Sequence, residues 1–246
     1  MKIHILTLFP ELLEQIFSYS IIKRARDKEL FSINCHQIRD YANDRHRSVD
    51  DYPYGGGGGM VMTPPPIFDA HSNVTRQLPG DRKIRTIYCT PKGNTFTQKM
   101  AVELACEEAL IFLCGHYEGV DQRVIDSLVT DEISIGDYVL TGGELPAAVM
   151  IDAIVRLIPG VLKDEQSYMD ESHYNDLLEY PHYTRPPEYR GMKVPHTLLS
   201  GNHEHIRQWR RWESIRETWQ KRPDLMAKAE LSPKELQWLE KLKQES

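Results

Sequence analysis

With 246 residues, 40% hydrophobic and 27% charged, the chain has room for one large domain or two ordinary ones and the balance of a soluble globular protein. Thirty basic against 36 acidic residues leave a net charge of -6, which excludes a uniformly basic surface but leaves room for a local basic patch. No stretch approaches the roughly 18 apolar residues of a membrane span, and the N-terminal apolar run is too short for a signal segment, so no membrane partner and a cytoplasmic location are expected.

In chain order, "KIHILTLF" (2–9) reads as a strand and 11–27 as a helix, followed by a second strand, "FSINCHQI" (31–38). Residues 54–60, "YGGGGGM", set five glycines in a row. Glycine is costly to order and persists where φ must be positive or where something must approach the backbone. A phosphate, a base or another chain segment would each fit, but no Gly-Lys-Ser/Thr or G-x-G-x-x-G motif follows to favour a nucleotide cradle. Strands "IRTIYCT" (84–90), "ALIFLCG" (109–115) and "ISIGDYVLT" (133–141) alternate with helices over 97–108 and 146–158. Such alternation predicts an α/β domain with a mostly parallel sheet.

From about residue 160 the pattern changes. "KDEQSYMDESHYNDLLEY" (163–180) is acidic, polar and aperiodic, and reads as a linker over 161–180 between a first domain, 1–160, and a small helical domain, 181–246. In the latter, Ile206, Trp209, Trp212, Ile215 and Trp219 recur at helical spacing as a core stripe, leaving arginines on the other face. Ser232 and Glu235 form a capping box for the last helix, with Pro233 in its first turn.

Ligands of open parallel sheets sit beyond the carboxyl ends of the strands. Here those ends read "CTPKG", "CGHYEGVD" and "IGDYVLTGGELP". Each carries glycine, and two carry carboxylates. A pocket of this kind suits a neutral or cationic nucleoside better than a triphosphate. Cys35, Cys89, Cys106 and Cys114 lack C-x-x-C spacing, so neither disulfides nor a cysteine zinc site is expected. The "NHEHI" segment, with His203, Glu204 and His205, resembles a ligand cluster, but His-x-His on a helix points its rings to different faces, and no metal ligand is assigned.

The blocks "VDDYPYGGGGGM", "CGHYEGVD", "SIGDYVLTGGELPA", "RLIPGVL", "PHYTRP" and "LLSGNHEHIRQWR" resemble the tRNA (guanine-N1)-methyltransferase (TrmD) family, in order and spacing over the whole chain. The resemblance implies a SPOUT fold with a deep trefoil knot and a homodimer. It also implies methyl transfer from S-adenosylmethionine to N1 of the guanosine at tRNA position 37, with Mg2+ dependence but no legible ion site. Cofactor contacts carry over to Tyr88, Pro91, Gly115, Tyr117, Gly119, Ile135, Gly136, Asp137, Tyr138, Val139, Leu140, Gly142, Gly143 and Pro146. Guanine N1 must lose a proton to react, so a carboxylate base is needed. The family's base is an aspartate of the interdomain linker, supplied by the partner subunit. Alignment puts Glu171 at that position, with Asp170 beside it as the alternative, and Arg156 as the group that supports the base.

By the same resemblance Glu118 accepts from guanine N1–H and the 2-amino group, with His116 where the family has arginine or histidine. Asp50 and the glycine loop, Gly59 included, lie at the target base, which makes the five glycines a device for close backbone approach. Gly58 stands where the family usually has proline. Arg207, Arg210 and Arg211 are expected to contact the tRNA backbone, with an affinity that falls as salt rises.

Overall fold

The computed structural model describes residues 1–78, 84–163, 168 and 171–244. Its internal contacts divide the chain into two compact units, Met1–Lys163 and Asp164–Ser246.

The first unit runs β1 (Lys2–Thr7), α1 (Pro10–Ile16), α2 (Ser20–Asp27), β2 (Ser32–Gln37), β3 (Asp50–Asp51), β4 (Val61–Met62), α3 (Pro64–Thr75), β5 (Arg85–Thr95), α4 (Gln98–Ala105), β6 (Ala109–Cys114), α5 (Gln122–Leu128), β7 (Asp131–Ser134) and α6 (Glu144–Val155). Five strands form one all-parallel sheet in the order β2-β1-β6-β5-β7. The α/β parallel architecture expected from the alternating elements is what the chain adopts.

The sheet is covered on both faces, which is why β6 is apolar at successive positions and not at alternate ones. Leu110, Phe112 and Cys114 point into a core with Ile3, Ile5, Leu13 and the apolar residues of α6. Ile111 and Leu113 point the other way, against Leu6, Ile67, Val74 and Val124. Alternate residues of one strand thus serve two cores.

Three local expectations are corrected and one helix is added. The helix drawn over 11–27 is two helices, because the buried Phe17 ends α1 and Ser20 takes a φ of 56° at the start of α2. The strand drawn over 133–141 stops at Ser134, where its hydroxyl accepts from the Gly136 N–H and Gly136 takes φ 148°. The strand drawn over 84–90 continues to Thr95 through an irregularity after Cys89. Residues 64–75, not assigned in the sequence, form α3, with Pro64 supplying the favourable first-turn proline.

The second unit runs β8 (Glu188–Tyr189), β9 (Met192–Lys193), α7 (His196–Leu199), α8 (His203–Lys221), α9 (Pro223–Met226) and α10 (Pro233–Gln244). Its core is small: Leu177, Ile215, Leu239 and Leu242 are buried, with Trp212, Trp219 and Trp238 packed around them. The stripe on α8 is therefore buried at Ile215, with the half-buried Trp212 and Trp219 packed against the same core, while Ile206 and Trp209, also half-buried, lie outside that cluster. The capping box forms as the sequence predicts. The Ser232 N–H donates to Glu235 Oε2 at 2.7 Å and the Glu235 N–H to Ser232 Oγ at 3.4 Å.

Candidate active site

Three loops at the carboxyl ends of β5, β6 and β7 enclose a cavity of about 240 Å3. The first is the irregularity in β5. Its pairing with β7 breaks between Cys89 and Asn94, so Pro91 and Lys92 project into the cavity. Gly93 permits this, because a Cβ there would lie 2.3 Å from the main chain of Glu132. The second loop turns at Tyr117 (φ 59°) and Gly119 (φ 137°), and the Gly119 N–H donates to the His116 carbonyl at 3.1 Å. The third turns at Gly136 and returns to the second, the Gly143 N–H donating to the Gly115 carbonyl at 2.9 Å. A Cβ on Gly143 would lie 2.6 Å from Cys114 Cα, so the two loops approach at a distance only glycine allows.

Of the residues carried over for the cofactor, every one but Asp137 lines this cavity. Burial raises the Tyr88 hydroxyl pKa, and its ring lies against Gly115. Glu118 and Glu132 on the lining outnumber its one lysine, Lys92. That donor set fits a ligand carrying a sulfonium and an ammonium, as S-adenosylmethionine does, and opposes a polyphosphate.

The glycine run resolves into two parts. Gly55, Gly56 and Gly57 have φ values of 86°, 81° and 126°, and a Cβ added at any of them would meet nothing within 4 Å, so they make an open tip. Gly59, with φ 79°, sits against Glu118: a Cβ there would lie 2.3 Å from the carboxylate. The loop is pinned beside the second cavity loop, since the Glu118 N–H donates to the Met60 carbonyl and the Met62 N–H to the Gly119 carbonyl, both at 2.9 Å. Asp50 is held in the same region by its pairing with Met62 in the β3–β4 ladder.

The whole-chain pattern agrees with a known family. The model for "tRNA (Guanine-1)-methyltransferase TrmD" matches residues 1–228. This chain belongs to the TrmD family. It is 62% identical over 242 residues to a tRNA (guanine-N(1)-)-methyltransferase of Alkaliphilus metalliredigens (strain QYMF), covering 98% of both chains. It is 56% identical over 245 residues to the one named likewise from Bacillus cereus (strain B4264), covering 100% of both. A relative of the same name from Bacillus anthracis (strain CDC 684 / NRRL 3495) is 55% identical over 244 residues, with 99% of each chain covered.

In this TrmD-family chain, one buried group had no place in the sequence reading. Glu144, 3% exposed in the first turn of α6, accepts from the Thr7 hydroxyl at 2.6 Å and pairs with His116 Nε2 at 2.6 Å. Its signal was present, a lone acid opening the otherwise apolar "ELPAAVMIDAIV" segment but for Asp152.

The remaining assignments fall as follows. Arg156 caps the C-terminus of α6 in the first unit. Glu171, half-buried, belongs to the second unit and lines a cavity of about 720 Å3 there, with Tyr180, Arg207, Arg210 and Arg211. Asp170 lies outside the described residues. Arg207 pairs with Glu204 at 2.6 Å, Arg210 lies 4.9 Å over the Tyr180 ring, and Arg211 binds Glu235 at 2.5 Å. Arg211 therefore ties α8 to the start of α10. His203 and His205 open α8, where the Asn202 side chain caps the helix by accepting from the His205 N–H at 3.1 Å. No group of three or more His, Cys, Asp or Glu placed to hold a metal ion occurs among the described residues. Among them, too, no helix is long and apolar enough to cross a membrane.

Proposed function

We propose that this chain transfers a methyl group from S-adenosylmethionine to N1 of the guanosine at position 37 of tRNA, next to the anticodon, giving 1-methylguanosine. Family membership over the whole chain supports the reaction class. The single observation that favours guanine at the site is the contact of Gly59 with the Glu118 carboxylate beside the three-loop cavity.

S-adenosylmethionine supplies a methyl already activated on a sulfonium. The residues that would hold it are Tyr88, Pro91, Gly115, Tyr117, Gly119, Ile135, Gly136, Tyr138, Val139, Leu140, Gly142, Gly143 and Pro146, largely through backbone groups. The protein's own task is alignment and proton removal. Glu118 accepts from guanine N1–H and the 2-amino group, a pattern adenine cannot offer. A second carboxylate, Glu171 or Asp170, then takes the N1 proton while Glu118 keeps the 2-amino group, which frees N1 for the methyl, and Arg156 balances the charge. The target base must leave its stack to reach Asp50 and Gly59, at least cost in a single-stranded loop. With this reading go the family's trefoil knot and a cytoplasmic location, where its tRNA substrate is found.

The base-bearing segment is assigned to the partner subunit of a homodimer. A second copy would cover the apolar residues exposed on the neighbouring helices α1 and α6, namely Leu12, Ile16, Leu145 and Val149. Arg207 and Arg210 face tRNA phosphates.

The test is transfer of labelled methyl to an unmodified tRNA transcript with guanosine at 36 and 37, beside one with adenosine at 37. Transfer to the first alone is expected. Binding of both without transfer would replace the enzyme reading by that of a tRNA-binding protein.

A further inference from the structure

We infer that Glu144 is a positioning residue for guanine recognition, acting on Glu118 through His116. The inference rests on the reading of Glu118 as the guanine-reading carboxylate.

Glu144 does not line the cavity, and both its oxygens are committed inside the protein. Oε1 accepts a hydrogen bond from the Thr7 hydroxyl, and Thr7 Oγ1 in turn accepts from the Phe9 N–H at 2.9 Å. Oε2 takes His116 Nε2. A buried carboxylate is expensive unless such partners compensate it, so this one restricts where they can lie. The imidazole has little freedom left. Phe9 packs on its ring edge-on, with centroids 4.9 Å apart, and a Cβ on Gly142 would fall 2.2 Å from it.

What His116 holds is the start of the guanine-reading turn. Its N–H donates to Met62 Sδ at 3.2 Å and its carbonyl accepts from Gly119, closing a turn in which Tyr117 takes a left-handed φ. A non-glycine residue in that conformation needs its surroundings to keep it there. Glu118 follows directly, with its side chain against Gly59. Loss of the Glu144 charge frees the imidazole, and the turn relaxes with it. The carboxylate of Glu118 then spreads over positions that meet N1–H without the 2-amino group.

The prediction is a change in selectivity, which a defect of folding alone would not produce. Single-turnover transfer is measured on tRNA transcripts carrying guanosine or inosine at position 37, inosine lacking only the 2-amino group. Wild type should favour guanosine. Glu144→Gln and His116→Gln should each lower that preference by about tenfold, the scale of one charge-assisted hydrogen bond. S-adenosylmethionine affinity of Glu144→Gln should stay within about twofold. The double variant should be no worse than the worse single one, as for residues in one pathway. Thr7→Val, which keeps the shape and removes one donor to the same carboxylate, should lower the preference in the same direction. Equal slowing of both substrates in these variants, or additive losses in the double variant, overturns the inference. Wild type that treats the two transcripts alike overturns the reading of Glu118, and with it this inference.

Discussion

The two units hold the polar groups that bear on function differently. In the first, the polar groups that matter are buried: Glu144, Thr7, His4 and Thr86 lie under 5% exposed, and the cavity is shaped by backbone turns. In the second, Arg207, proposed for tRNA, sits in an ion pair with Glu204 on an exposed helix face, although Glu213, paired with Arg216, is buried. Buried groups fix geometry because leaving them unpaired is costly, whereas exposed pairs are screened and contribute little to stability. Reading and chemistry should therefore depend on a few residues in the first unit, and tRNA affinity on many interchangeable ones in the second.

The largest break in that contrast is expected at Glu118. Glu118→Gln should slow single-turnover transfer by about 100-fold or more, since a site built to hydrogen-bond a base loses it when one partner is changed. S-adenosylmethionine binding measured by calorimetry should weaken far less, since Glu118 is only one of the two carboxylates on the cavity lining. Gly59→Ala comes next. Its φ of 79° costs the alanine about 1 kcal/mol in thermal melts, but the new Cβ also displaces the Glu118 carboxylate. Transfer should fall by about tenfold, whereas Gly57→Ala, whose Cβ meets nothing, should leave it within about twofold.

Acid should separate the units. Burial lowers the His4 pKa to about 4, helped by His36 and Lys2, and burial also lowers His36 and His71. The unfolded chain then takes up these protons first. Stability from the neutral histidines is complete above pH 6.5 and is lost as pH falls toward 4, on the order of 2 kcal/mol. In the second unit, the Arg222 guanidinium holds Asp224 near 2, so that contribution is lost only at lower pH. All four tryptophans lie in the second unit. On titration from pH 7 to 4, far-UV circular dichroism should change before tryptophan fluorescence does. Coincident transitions would erase the distinction. The smallest effect is Arg207→Ala. It should weaken tRNA binding about threefold and reduce the salt slope by about one, and an unchanged slope would remove Arg207 from the phosphate contacts.

How much of this was legible depended on the kind of signal. Strand cores and the α8 stripe were plain because periodicity records burial, and the Ser232–Glu235 box because capping is local. The end of β7 was not, since "ISIGDYVLT" has strand-like composition and only the Ser134 hydroxyl bound at Gly136 stops it. The β8–β9 hairpin, turning at Arg190 and Gly191, hid in a proline-rich stretch. Glu144 could not be paired from sequence. Its partners lie 28 and 137 positions away, and no local pattern records a contact at that separation.

The open tip of the glycine loop has a consequence for length. Its ends are tied by the pairing of Asp51 with Val61, and a Cβ added at any glycine from 55 to 58 would meet nothing within 4 Å. For a tether of this sort, even doubling the contour costs only about 0.6 kcal/mol in closure entropy. Melting curves would scarcely register an added or deleted glycine. The distance over which Tyr54, fully exposed at its edge, can sweep would change in proportion, so any constraint on the number of links must come from what the tether has to reach.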